Sequence, residues 1–149
     1  MRLSEYIGIN IGLVDIILVL VISLALYFDL KEGRIPNKIT VTAAGTGLLY
    51  WSIAGGLNGL YESFLGGLVG LVILLIPFVL GGMGAGDVKF LAAIGFLKGI
   101  EFVLYTAAVM GIVGGIIAIY YYFFVKLRGA YFPYGVAIAA GAVFTLGFL

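Results

Sequence analysis

Cysteine and histidine are both absent from this chain. Their absence removes disulfides, CxxC redox chemistry, thiol proteases, Ser-His triads and every usual zinc set. Charge is scarce as well: Asp, Glu, Lys and Arg make up 10% of 149 residues, where a soluble domain carries about a quarter. A net charge of +1 provides no basic stripe for phosphates, so no nucleic-acid partner is expected. Carboxylates, lysines, hydroxyls and tyrosines are what remain for chemistry, and neither a cofactor nor a metal is expected.

What is abundant is apolar. The chain is 64% hydrophobic with a mean hydropathy of +1.26, which marks an integral membrane protein. The fold class expected is an all-α polytopic membrane protein of about six transmembrane helices. Hydropathy places them near Ile9–Phe28, Ile39–Ala54, Ser63–Leu80, Asp87–Leu97, Glu101–Val125 and Tyr134–Leu149. No soluble domain is left over, so residues 1–149 are expected to form one membrane-embedded domain. The first apolar stretch is long and runs into YFDLKEGR, unlike a cleavable signal peptide. The fourth span is too short to cross ~30 Å of hydrocarbon at ~1.5 Å per residue. It is expected to start in the interface or to cross where the barrier is thinned.

Loop charges orient the chain. Lys31, Arg34, Lys38, Lys89, Lys126 and Arg128 follow the odd-numbered spans, whereas Arg2 and Lys98 lie on the other side. The positive-inside rule then puts both termini outside and the basic loops in the cytoplasm. Small residues recur at helical spacing in Gly66/Gly70, Gly111/Gly115 and Ala137/Gly141, and are expected at helix contacts. The run Tyr120–Phe124 reads as an interfacial aromatic belt.

Against this background GGMGAGDVKF, residues 81–90, is out of place beside LVILLIPFVL. It is either a turn between spans or a site. Gly81 and Gly86 have the spacing of a phosphate-binding loop, but Asp87 stands where lysine is required. A dinucleotide fingerprint lacks its βαβ setting. A second acid, Asp29, leaves the first span at the same face as Asp87. Two such carboxylates sharing one proton could activate water while polarising a carbonyl. The plainer alternatives are Asp87 as the N-cap residue of its helix and an ordinary acid at a membrane exit for Asp29.

FDLKEGRIPNKIT (28–40) followed by GMGAGDVKFLAAIG (82–95) resembles the type IV prepilin peptidase family, membrane aspartyl proteases of the GxGD class. Asp29, Arg34, Pro36 and Asn37 match that family's first motif, and Gly84, Gly86, Asp87 and Lys89 its second. FPYGVAIAAG (132–141) is similar to its closing segment. The resemblance implies a GxGD aspartyl protease architecture with Asp29 and Asp87 as the catalytic pair and no metal. It further implies cleavage of a prepilin's short basic leader at the cytoplasmic face of the inner membrane. Larger members carry a cysteine-containing insert and methylate the new terminus; this chain lacks both cysteine and insert. It most resembles the compact enzymes of Flp/Tad pilus systems, with an archaeal preflagellin or pilin peptidase as neighbour.

Gly84, Gly86, Lys89, Pro133 and Tyr134 are the candidate substrate-binding residues, and membrane lipids are expected partners. Pro133 as a helix start and Lys89 as a flanking lysine are the simpler accounts. Asp15 lies ~21 Å from Asp29 along a straight helix and is expected near the outer interface or bonded to a neighbouring helix. Glu62 and Glu101 sit near helix starts, where the helix dipole favours acids. The rival classes are a small ion- or proton-coupled transporter and a non-enzymatic secretion scaffold. A transporter predicts inverted repeats, which the two halves do not show, and key acids at the midplane instead of one face. A scaffold would tolerate loss of either acid.

Overall fold

In hydrocarbon a backbone must satisfy its own polar groups, and the chain does so by forming helices. The computed structural model describes residues 12–125 and 132–149. Arg2, the start of the first span at Ile9, Lys126 and Arg128 lie outside the described residues. Four helices follow in order: α1 (Leu13–Glu32), α2 (Asn37–Val79), α3 (Ala85–Tyr120) and α4 (Tyr134–Phe148), with a π-helical turn, Tyr121–Val125, ending α3. No strand occurs among the described residues. By length and composition α1, α2 and α3 can cross a membrane, and α4 is a shorter apolar helix.

Straight, α2 and α3 would be ~64 and ~54 Å long, far beyond the hydrocarbon thickness. Each is broken at a glycine. Gly56 (φ 59°, ψ −143°) divides α2 into arms 37–55 and 57–79. Gly99 (φ 84°, ψ −176°) divides α3 into arms 85–98 and 100–120. Only glycine adopts such positive-φ backbone without strain. The chain doubles back at Gly56, since a Cβ at Gly59 would overlap the Trp51 carbonyl, eight residues away and so ~12 Å distant in a straight helix.

The first arm of α3 lies between the two arms of α2. Gly66 and Gly95 abut so closely that a Cβ on either would strike the other's carbonyl oxygen, and Gly70 sits on the Leu91 carbonyl. Gly47, from the other arm, packs on Phe96 and Leu97. Breaking α3 at Gly99 frees the carbonyls at the end of its first arm, and lipid offers no donor for them. The α2 hairpin supplies two: Ser63 Oγ donates to Phe96 O (2.6 Å) and Trp51 Nε1 donates to Leu97 O (2.7 Å).

The second arm of α3 runs antiparallel to α4, with Gly141 against the Thr106 carbonyl and Met110, and Thr106 Oγ1 donating to Thr145 Oγ1 at 3.5 Å. Two of the expected small-residue contacts are therefore present, at Gly66/Gly70 and at Ala137/Gly141, all buried. Gly111 and Gly115 are the exception: both are exposed, with open space where a Cβ would go. The α4-facing stripe of α3 runs through Val103, Thr106 and Met110, all buried. One residue further along a helix is ~100° around it, so Gly111 turns away from α4.

Candidate active site

Helix α1 and the first arm of α3 are antiparallel neighbours, and each end of that pair joins one residue from each helix. At one end Asp15 accepts from Lys98 Nζ (2.5 Å), and both side chains are 15% exposed. At the other end stand Asp29 and Asp87.

Asp29 occupies the last turn of α1, which Gly33 closes in the left-handed conformation with its N–H donating to Asp29 O (3.0 Å). Asp87 is the third residue of α3, and its Oδ2 accepts from the N–H of the capping residue Gly84 (3.3 Å). The N-cap position is held by Gly84 and not by Asp87 as the sequence alternative had it. Asp87 stands three residues on, and its bond to the Gly84 N–H helps fix the carboxylate. Asp29 is 1% exposed and Asp87 6%. The two carboxylates lie close enough for their charges to act on one another. Burial of two like charges at one point is expensive, and nothing about helix packing demands it.

The remaining candidates gather around this pair in different ways. Gly84 is exposed at the head of α3. Gly86 packs on the loop that follows Asp29: a Cβ there would come within 3.3 Å of Ile35 N. Ile35 is buried, so this contact fixes the head of α3 against the end of α1. Lys89 is exposed and donates from Nζ to Asn37 Oδ1 (3.0 Å), tying α3 to the start of α2. Pro133 caps α4, and Tyr134, half-buried, lies against Phe132 with ring centroids 4.1 Å apart and planes tilted by 48°. Phe132 in turn meets Tyr121 edge-on at 5.7 Å.

Sequence reasoning missed Gly135. It is buried in the first turn of α4 and faces the Asp29 carboxylate: a Cβ there would overlap Oδ2 and crowd Cγ. The available signal was a glycine two residues after Pro133, though only the position of Asp29 gives it meaning. Asp15 behaves as expected, bonding a neighbouring helix while also accepting from Gly12 N–H (3.0 Å). Among the described residues no group of three or more acids is placed to hold a metal ion.

Two buried carboxylates from separate helices, with an irregular glycine segment beside them, form a unit suited to moving protons onto and off a substrate. Residues 16–119 match the Type IV leader peptidase family. No curated protein and no solved structure matches the chain.

Proposed function

The chain belongs to the Type IV leader peptidase family and is a membrane peptidase, and from that premise we propose that it is an aspartyl prepilin peptidase acting through Asp29 and Asp87. The observation that carries the reading is their pairing: two acids far apart in sequence, both buried, with interacting charges.

The pair works as one coupled unit holding a shared proton. Its ionised member takes a proton from water, which attacks the scissile carbonyl carbon; its protonated member donates to the carbonyl oxygen. As the tetrahedral intermediate collapses, the C–N bond breaks and the leaving amine takes one proton from the pair. A hydroxyl of the intermediate returns one to it, so a carboxylic acid is released and the pair regains its single shared proton. A peptide bond inside a helix is shielded, so the substrate enters extended. Gly81, Gly82 and Gly84 are exposed at the edge of the pair and offer backbone groups to an extended leader. Lys89, Pro133 and Tyr134 border the same edge and complete the proposed binding surface with Gly84 and Gly86.

In the bilayer each arm of α2 and α3 crosses separately, which with α1 and α4 makes six crossings and the GxGD architecture. The basic loops then face the cytoplasm of the inner membrane, against lipid phosphates, with both termini outside. The substrate is a pilin of the Flp/Tad-like class, cut between its short basic leader and its hydrophobic helix.

The test is cleavage of a co-expressed prepilin by the parent and by Asp29→Ala, Asp87→Ala and Asp15→Ala. Loss in the first two with retention in the third supports the dyad. Normal cutting by Asp29→Ala or Asp87→Ala sinks it and returns the glycine segment to a turn.

A further inference from the structure

We infer that Gly135 is a positioning residue for the carboxylate pair: the absent side chain at the second position of α4 is the space in which the Asp29 carboxylate sits. The proposal rests on the dyad reading above and extends it to a helix outside residues 16–119.

Three observations carry it. Gly135 is buried and helical, with no positive φ, so backbone freedom does not account for it. The nearest atoms to a Cβ built there all belong to Asp29, namely Oδ2, Cγ at 2.9 Å and Cβ at 3.3 Å. Asp29 is 1% exposed, so its side chain has no open solvent to swing into. Elsewhere on α4 the close contacts are different in kind: Gly141 meets backbone and side-chain atoms of Thr106 and Met110, as ordinary helix packing does. At Gly135 the three nearest atoms all belong to one side chain, that of Asp29.

A methyl group at this position has two ways to fit. Asp29 rotates away from its place opposite Asp87, or the head of α4 lifts off α1. Either change alters the spacing of the two acids, on which sharing a proton depends. Gly135 contributes no group of its own to the reaction in this scheme and acts only by placing the Asp29 carboxylate.

The experiment combines a thermal double-mutant cycle with a cleavage profile on the full chain in detergent micelles. Thermal unfolding is measured for the parent, Gly135→Ala, Asp29→Ala and the double variant. Gly135→Ala is expected to lower Tm by about 4 °C or more in the parent background. The loss is expected to shrink to near zero beside Asp29→Ala, because the obstructing atoms are gone. If Gly135→Ala alone does not accumulate, recovery of folded protein in the double variant supports the same conclusion. Cleavage of a prepilin across pH is expected to fall roughly 100-fold with a displaced pH profile. Gly114→Ala, which would place its Cβ at an ordinary 3.8 Å from Ala137 Cβ, is expected to cut like the parent.

Equal Tm losses in both backgrounds would overturn the proposal, since the glycine would then serve packing alone. So would cleavage by Gly135→Ala within twofold of the parent at an unchanged pH profile. Parent-like cutting by Asp29→Ala overturns the dyad reading instead, and it does so independently of the thermal cycle.

Discussion

The two ends of the α1–α3 pair are built alike and finished differently. At each end a glycine caps a helix and its N–H donates to the acid three residues on: Gly12 to Asp15, Gly84 to Asp87. At each end that acid meets a charged side chain from the antiparallel neighbour. Asp15 meets Lys98, and Asp87 meets Asp29. One end is a neutralised pair that joins two helices; the other concentrates like charge where burial makes it costly. A capping acid is thus not in itself a sign of function. What its partner carries decides the matter.

The acid end carries the largest expected effect. Asp87→Asn and Asp29→Asn are expected to reduce prepilin cleavage at least about a thousandfold, while Tm measured in micelles stays level or rises as like-charge repulsion is removed. A fall in both activity and Tm would make the acid end structural, like its counterpart. At the other end the pattern inverts. Lys98→Met leaves the half-buried Asp15 without its cation, which costs about 1.5–3 kcal/mol; Tm falls while cleavage at low temperature is kept. Combining it with Asp15→Asn should restore most of the loss, because the orphaned charge goes with it.

Smaller effects sharpen the contrast. Ser63→Ala removes the donor to Phe96 O and should cost about 1–2 kcal/mol in thermal unfolding, with KM for the prepilin unchanged. Lys89→Met removes an exposed hydrogen bond to Asn37 worth about 0.5 kcal/mol. Its effect on Tm should be barely measurable, so a tenfold rise in KM would assign the lysine to the substrate.

Much of the helical character was legible because hydropathy is local, and the breaks at Gly56 and Gly99 fall in GGLNG and in the short polar step around Lys98. Asp29 and Asp87 could be picked out because acids are rare in such a chain and two motifs flank them. Their pairing could not, since it depends on how α1 lies against α3. Asp15 was separated from the pair by helix rise alone, but its partner Lys98, 83 residues away, follows only from the antiparallel packing. Gly135 was invisible for the same reason: its requirement is set by a side chain on another helix. Gly111 and Gly115 illustrate the converse, where a pattern that permits close packing was not used for it. Spacing states what a helix face can do, and the neighbour determines which face is taken.

The capped reversal at Gly99 also bears on the order in which the chain can be assembled. The carbonyls of Phe96 and Leu97 are satisfied by Ser63 and Trp51, which precede them by 33 and 46 residues. Synthesis proceeds from the N-terminus, so the donors are already in the bilayer when the carbonyls arrive. The hairpin of α2 is a template on which α3 can turn back without exposing bare backbone to lipid. A rearranged gene that delivered α3 before α2 would encode the same contacts and lose that sequence of events.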